Sequence, residues 1–391
     1  MDTPIHGTCD PRFEPVEETF RMHFARGKDV GASFALMIGD ELLVDLYGGY
    51  ADKERTRPWE RNTIVNVFST TKIMTALCIH ILRDRGMVSY DAPVMEYWPE
   101  FGCNGKEEVK VWHLLTHSSG LPHFGEPIEP EALYDWDRMI GILERQAPLW
   151  EPGTKLGYHM TTFGYLVGEI VRRVTGKMVS TFFKEEVADP MDIDFMLGVP
   201  PDQHDRIADL IPPKNSMLQR IARNNFLYKL LRKPIFLQVI RNPSVASETG
   251  IPNTPEWRSA EIPASNGHGN AVSIARVGAI LANGGMLEGK RVLSSDTVNE
   301  SVVPRVKGKD IVTFEKHQFG LGWAVNQDKL PHGKVAERAF QWGGLGGSIC
   351  WMDLDERMSF AFAMNKMNLR LLGKQRRERF RDVVYKCLRD A

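Results

Sequence analysis

The chain has almost no net charge: 49 Lys+Arg stand against 50 Asp+Glu, a formal balance of -1 over 391 residues. Without a net field nothing steers the whole molecule toward nucleic acid or an anionic membrane, so partners must be argued locally. Cysteine is scarce as well. Cys9, Cys78, Cys103, Cys350 and Cys387 are five in number, widely spread and free of C-x-x-C spacing, which argues against a disulfide framework and predicts reduced thiols. No stretch reaches the ~18 uninterrupted apolar residues that a membrane-spanning helix needs. The opening MDTPIHGTCDPRFEPVEE carries acidic residues and prolines where a secretory signal has a basic start and an apolar run. Together these absences predict a soluble, cytoplasmic protein.

Other chemistries also lack their signatures. There is no G-x-S-x-G elbow, which weakens an α/β-hydrolase reading, and no H-E-x-x-H or paired C-x-x-C for zinc. The one glycine-rich run fits neither G-x-G-x-x-G nor G-x-x-x-x-G-K-[ST], so it is not a nucleotide loop. No metal and no cofactor is expected, and no internal repeat is visible.

What is present is an ordinary globular composition, 42% hydrophobic and 25% charged, long enough for one large catalytic unit with an inserted region. A helix is expected at about 13 to 27, then a hairpin in which 32 to 38 and 41 to 47 turn at Gly39-Asp40. From Phe68 to Arg85, apolar residues recur at helical intervals up to Gly86, a good helix terminator. Sheet-like segments return at 320 to 325, 347 to 353 and 358 to 364, followed by a charged amphipathic helix from about 374 to 389. The expected architecture is therefore α+β: an antiparallel sheet flanked by helices from 1 to 89 and 271 to 391, with a mainly helical region from 90 to 270.

One stretch is anomalous. Between Lys214 and Arg241 seven basic residues occur without an acidic one, interleaved with Phe226, Tyr228, Phe236 and several leucines. It reads either as a solvated surface helix pair or as a basic amphipathic flap that covers the cleft or touches a membrane surface.

Chemistry gathers at three places. Ser69-Thr70-Thr71-Lys72 is the only S-x-x-K in the chain and lies at the start of the expected helix. Residues three apart share a helix face, so the lysine amine can reach the serine hydroxyl, and a lysine with a lowered pKa can take its proton. Alone, this tetrapeptide is no more than an N-cap followed by a lysine. The second element is Tyr158, after a Pro-Gly turn and before an amphipathic helix, where a phenol can relay protons. The third is FQWGGLGGS from Phe340 to Ser348, where Gly343 and Gly344 let a strand approach a ligand and the N–H of Leu345 can join that of Ser69 in an oxyanion hole.

In this order and spacing the chain resembles the serine β-lactamase-related superfamily, closest to class C β-lactamases and family VIII carboxylesterases. The resemblance runs through FSTTK (68 to 72), LLTHSSGLP (114 to 122), Tyr158 with GYLVGEIVRRVTG, LANGG (281 to 285), FGLGW (319 to 323) and WGGLGGS (342 to 348). It implies a β-lactamase/transpeptidase-like fold, Ser69 as nucleophile, Lys72 as its partner base, Tyr158 as the Y-x-N tyrosine and Trp342 at the first position of K-T-G. Two departures stand out. Trp342 cannot pair with a carboxylate as an ammonium does, and Met160 replaces the asparagine that would grip an acyl-amide side chain. Both favour a neutral ester held against an apolar wall, to which His159 is also assigned.

The expected function is thus ester hydrolysis on a small molecule through a Ser69 acyl-enzyme, without nucleic acid. The alternatives are a β-lactamase, amidase or D-amino-acid peptidase on the same fold, and a catalytically silent scaffold. His117, His123 and His159 could each join a serine–histidine scheme, but each is expected to be a structural histidine. The natural substrate, the oligomeric state and whether Lys72 or Tyr158 is the principal base are not legible.

Overall fold

The computed structural model describes residues 3–213, 235–243, 250–325, 329–330, 333, 335–368 and 374–390. Its largest sheet has nine strands, all antiparallel to their neighbours, in the order Ile5–Cys9, Glu41–Gly49, Gly31–Ile38, Met358–Met364, Ile349–Asp353, Ala339–Gly343, Ala324–Val325, Lys316–Phe319 and Val306–Lys309. The two ends of the chain meet at its centre, where Phe34 pairs with Phe362 and Ala35 with Ala361.

The alternation of side chains in these central strands explains the layering. Phe34, Leu36, Phe360 and Phe362 fall on one face and meet Phe20, Phe24, Phe380 and Val384 from the helices Glu14–Ala25 and Lys374–Asp390. Ala35, Met37, Ala361 and Ala363 fall on the other face. Their small size admits the helix Ala271–Ala282 so closely that a Cβ on Gly278 would lie 2.1 Å from Ser359 Oγ. Large residues on one face and small ones on the other therefore set two different packing distances for the same sheet.

The helix Thr71–Asp84 runs through the larger core with twelve of its residues buried and packs against the helix Thr162–Thr175. A second sheet, of strands Phe195–Leu197, Gly267–Gly269, Ile64–Asn66 and Ile207–Ala208, lies within and beside the stretch expected to be mainly helical. The strand expected at 320 to 325 is corrected. Pairing stops at Phe319, Gly322 turns with a φ of 98° and donates its N–H to Leu115 O, and only Ala324–Val325 rejoins the sheet. Of the basic stretch, 214 to 234 lies outside the described residues; Ile235–Arg241 is a helix that buries Leu237, Val239 and Ile240. All five cysteines are unpaired. Among the described residues, no helix is long and apolar enough to cross a membrane.

Candidate active site

The strand Ile64–Asn66 delivers the chain to a single 3-10 turn, Phe68–Thr70, from which Thr71–Asp84 continues as α-helix. Phe68 takes a φ of 44° directly before the nucleophile position, a left-handed conformation that costs a non-glycine residue of order 1 kcal/mol and is held by the surrounding fold. The helical rise then brings Lys72 Nζ to 3.2 Å from Ser69 Oγ. Across the cleft, the phenol of Tyr158 donates to the same Oγ at 2.7 Å. Ser69 is 9% exposed, Tyr158 6% and Lys72 0%, so the three groups meet where water has little access.

Lys72 Nζ has two further partners, the carbonyls of Met160 at 2.7 Å and Ala264 at 2.9 Å. Burial penalises the ammonium and drives the lysine pKa well below its ordinary value. A neutral amine keeps two N–H groups, which satisfy the two carbonyls, and turns its lone pair to the hydroxyl. Burial acts on Tyr158 in the other direction and raises its pKa, against a smaller lowering by its hydrogen bond to Ser69 and by the Trp342 indole. The phenol therefore rests protonated, a donor beside an acceptor amine.

Trp342 sits 5.4 Å from the Tyr158 ring, tilted by 50°. Among the described residues no acceptor meets its buried indole N–H in good hydrogen-bond geometry, although it lies near enough to the phenol to favour its ionised form. Gly343 ends the strand Ala339–Gly343, and Gly344 passes so close to the nucleophile segment that a Cβ there would stand 2.0 Å from Val67 O. Ser348 fastens this contact: its Oγ donates to Val67 O at 2.8 Å and lies 3.0 Å from Thr70 Oγ1. Among the described residues, no acceptor takes the N–H of Ser69 or Leu345. Met160 is half-buried against the main core.

His159 is drawn away from the cleft. Its ring is 0% exposed, with Nε2 2.8 Å from Ser119 Oγ and Nδ1 2.7 Å from Gly157 O, and burial lowers its pKa to about 3. It pins the 117 to 121 loop beneath Tyr158 and offers no surface to a substrate. His117 is also buried, 4.9 Å from the Tyr158 ring and 5.9 Å from Trp342, and accepts from the His159 backbone N–H at 3.2 Å. His123 Nδ1 lies 2.7 Å from Phe124 O. The sequence reading missed His317 and Phe319, whose rings lie 6.2 and 5.4 Å from Trp342 and extend the aromatic wall; they sit on the strand Lys316–Phe319, next to the edge strand Val306–Lys309, and no local pattern marks them. Among the described residues, no three His, Cys, Asp or Glu side chains gather as a set that could hold a metal ion.

A hydroxyl, an amine and a phenol joined in this way, on a two-ended antiparallel sheet, invite comparison with known proteins. The family model described as Beta-lactamase matches residues 16–383. The chain belongs to the β-lactamase family. The esterase/beta-lactamase LipL of Mycobacterium tuberculosis is 34% identical to this β-lactamase-family chain over 374 residues, covering 93% of it and 83% of LipL. The crystal structure of a family VIII carboxylesterase superposes with a TM-score of 0.88 at 37% identity, covering 98% of this chain and 100% of that one. A penicillin-binding protein homologue from Caulobacter crescentus follows at 0.86 and 35%, with the same coverage. The expected fold is thereby established, and the chain is a serine hydrolase of the β-lactamase fold.

Proposed function

We propose that this protein is a carboxylesterase that works through an acyl-enzyme on Ser69, with Lys72 as the base and Tyr158 as the acid. The observation that carries the reading is the sharing of one hydroxyl: Ser69 Oγ receives the Tyr158 proton at 2.7 Å while Lys72 Nζ, its other two directions given to carbonyls, waits at 3.2 Å. Oγ attacks the ester carbonyl and its proton passes to Lys72, which becomes an ammonium with three acceptors. Charge developing on the carbonyl oxygen is met by the N–H groups of Ser69 and Leu345. As the C–O bond breaks, the alkoxide takes the Tyr158 proton, and Lys72 returns its own to the phenolate, so the alcohol leaves neutral. Water then follows the same route in reverse, giving up its proton to Lys72 and releasing the acid as Ser69 recovers its hydrogen.

Specificity follows from what lines the approach. Trp342, with Phe319 and His317 behind it, presents an aromatic wall and one neutral donor where an anionic substrate would need a cation. Neutral esters fit this better than penicillins, whose carboxylate would find no partner in the indole. LipL carries both esterase and β-lactamase in its name and the family VIII carboxylesterase carries the first. The decisive experiment is intact-mass analysis after brief exposure to a panel of activated esters, wild type beside Ser69→Ala. An acyl adduct on the wild type alone is expected; equal labelling of both would refute the reading. Faster turnover of a cephalosporin than of a short p-nitrophenyl ester would overturn the specificity argument and leave the nucleophile intact.

A further inference from the structure

The turn that carries Leu345 is poor in side chains with which to hold itself. Gly346 and Gly347 adopt φ values of 95° and 122°, and the turn closes on itself through backbone alone, from Gly347 N–H to Gly344 O at 3.1 Å and from Gly344 N–H to Ser348 O at 2.9 Å. Such a glycine-rich turn has many conformations to lose, so an N–H aimed at a developing oxyanion needs an outside anchor. One flank is fastened by Ser348 to Val67 and Thr70, as described above. The other flank is fastened from the far end of the chain. Arg376, on the helix Lys374–Asp390, donates from Nη1 to Gly346 O at 3.3 Å, and the backbone N–H of Asn368 donates to the same oxygen at 2.9 Å. The guanidinium packs so tightly on the turn that a Cβ on Gly347 would stand 2.6 Å from Nη1.

Arg376 is itself fixed by a charge network with no role in the proposed proton path. Its Nη2 pairs with Asp29 Oδ1 at 2.7 Å and donates to Lys28 O at 3.4 Å, its guanidinium lies 5.1 Å from the Phe362 ring centre, and Asp29 Oδ2 meets His23 Nδ1 at 3.0 Å. All three side chains are buried, Arg376 to 4% exposure and Asp29 to 0%. Burying an arginine and an aspartate is expensive, and apolar side chains of the same volume would dock this helix on the sheet at least as well. What they could not do is present a rigid donor to the carbonyl of Gly346, one peptide unit beyond the Leu345 residue.

We infer that Arg376 is a positioning residue for the oxyanion hole: held by Asp29 and His23, it fixes through the Gly346 carbonyl the turn that presents the Leu345 N–H. The inference rests on the ester-hydrolase reading and deepens it. Arg376→Lys is the test, because an ammonium keeps the charge opposite Asp29 and loses the fork that reaches both Asp29 and the turn. Rates are taken per site competent to react with an aryl phosphonate, so that misfolded protein does not count. Turnover of p-nitrophenyl butyrate is expected to fall about tenfold in kcat with KM within about twofold. The Kd of an aryl trifluoromethyl ketone, which forms an oxyanion on Ser69, is expected to rise by the factor that kcat/KM falls. If Arg376→Lys does not fold, Asp29→Asn, which keeps the shape and removes the charge that holds Arg376, is expected to move kcat and the ketone Kd together by about threefold or more. A kcat per titrated site within twofold of wild type, or a ketone Kd that does not move with kcat/KM, overturns the inference. Failure of the phosphonate to label wild-type Ser69 overturns the hydrolase reading first, and is recognisable because no variant is needed to see it.

Discussion

Among the described residues two lysines, Lys72 and Lys106, are wholly buried, and each brings its amine to three oxygens. Around Lys106 all three are backbone carbonyls, those of Cys103, Glu144 and Gln146 at 2.9, 2.8 and 2.6 Å. Around Lys72 two are carbonyls and the third is the hydroxyl of Ser69. Carbonyls only accept, so Lys106 is satisfied as an ammonium with one proton on each oxygen, and a neutral amine there would leave a lone pair facing a lone pair. A hydroxyl can donate as well as accept, so Lys72 is satisfied in both protonation states. Burial lowers the pKa of both lysines. Under the proposed mechanism the same residue type is a clasp in one place and a base in the other, and a single acceptor separates the roles.

The sharpest way to break that comparison is to give both lysines the same substitution. Lys72→Met removes the base and leaves a side chain of similar length among apolar neighbours; kcat/KM for a p-nitrophenyl ester is expected to fall about 10³-fold, in the range that general-base and nucleophile activation supply. Lys106→Met should leave kcat per titrated active site unchanged and instead strand three buried carbonyls, at a cost of about 3 kcal/mol in urea unfolding. Activity that survives in the first variant, or is lost from folded protein in the second, would erase the distinction.

How much of this was legible differs by range. Ser69 and Lys72 could be read together because three residues on one helix must share a face, and the S-x-x-K is unique in the chain. Tyr158 and Trp342 came from the resemblance rather than from their surroundings, which lie 89 and about 270 residues from the nucleophile. The acceptors that set the state of Lys72 are main-chain oxygens of Met160 and Ala264, and every residue has one, so no letter announces them. The grip of Arg376 on Gly346 was invisible for a related reason: the helix 374 to 389 was expected from its charged amphipathic pattern, but a pattern does not say which charge turns inward. Strands of two or three residues, such as Ile207–Ala208 and Gly267–Gly269, are shorter than any alternation that could reveal them. His159 reads as a structural histidine and also as one of the substrate-binding residues; its ring is spent on Ser119 and Gly157, which favours the first reading.

The pH dependence separates the two amines without mutation. Only neutral Lys72 can take the Ser69 proton, so kcat/KM should fall about tenfold per unit on the acid side of its pKa and level off above it. Because burial drives that pKa well below the ordinary 10.5, the plateau is expected to begin well below pH 10.5. Lys106 has no place in this limb, and Lys106→Met should superpose on the wild-type profile. Chromatographic assay of the released acid across the pH range provides the measurement. A plateau reached only near 10.5 would mean that Lys72 rests as an ammonium like its counterpart.

The smallest effect should come from the oxygens rather than the lysine. One turn beyond Lys72, the hydroxyl of Thr75 donates to Pro263 O at 2.5 Å, and the next residue, Ala264, supplies one of the two carbonyls that accept from Lys72. The same segment is pressed from the other side by Gly164, where a Cβ would stand 2.5 Å from Ala264 N. Thr75→Val keeps the branched shape, removes the donor and frees the 263 to 264 peptide to drift. Loss of the buried hydrogen bond is expected to cost about 1 kcal/mol of stability. A shift of a few tenths of an ångström in the Ala264 carbonyl should turn the Lys72 lone pair off the Ser69 hydroxyl and lower kcat about threefold, with KM little changed. Around Lys106 no hydroxyl stands behind an acceptor, so a matching loss of one donor has no catalytic readout there. A Thr75→Val enzyme with lowered melting temperature and wild-type kcat per titrated site would show that Lys72 is aimed by its own helix alone, and that the carbonyls around it serve, as they do around Lys106, only to hold an amine in place.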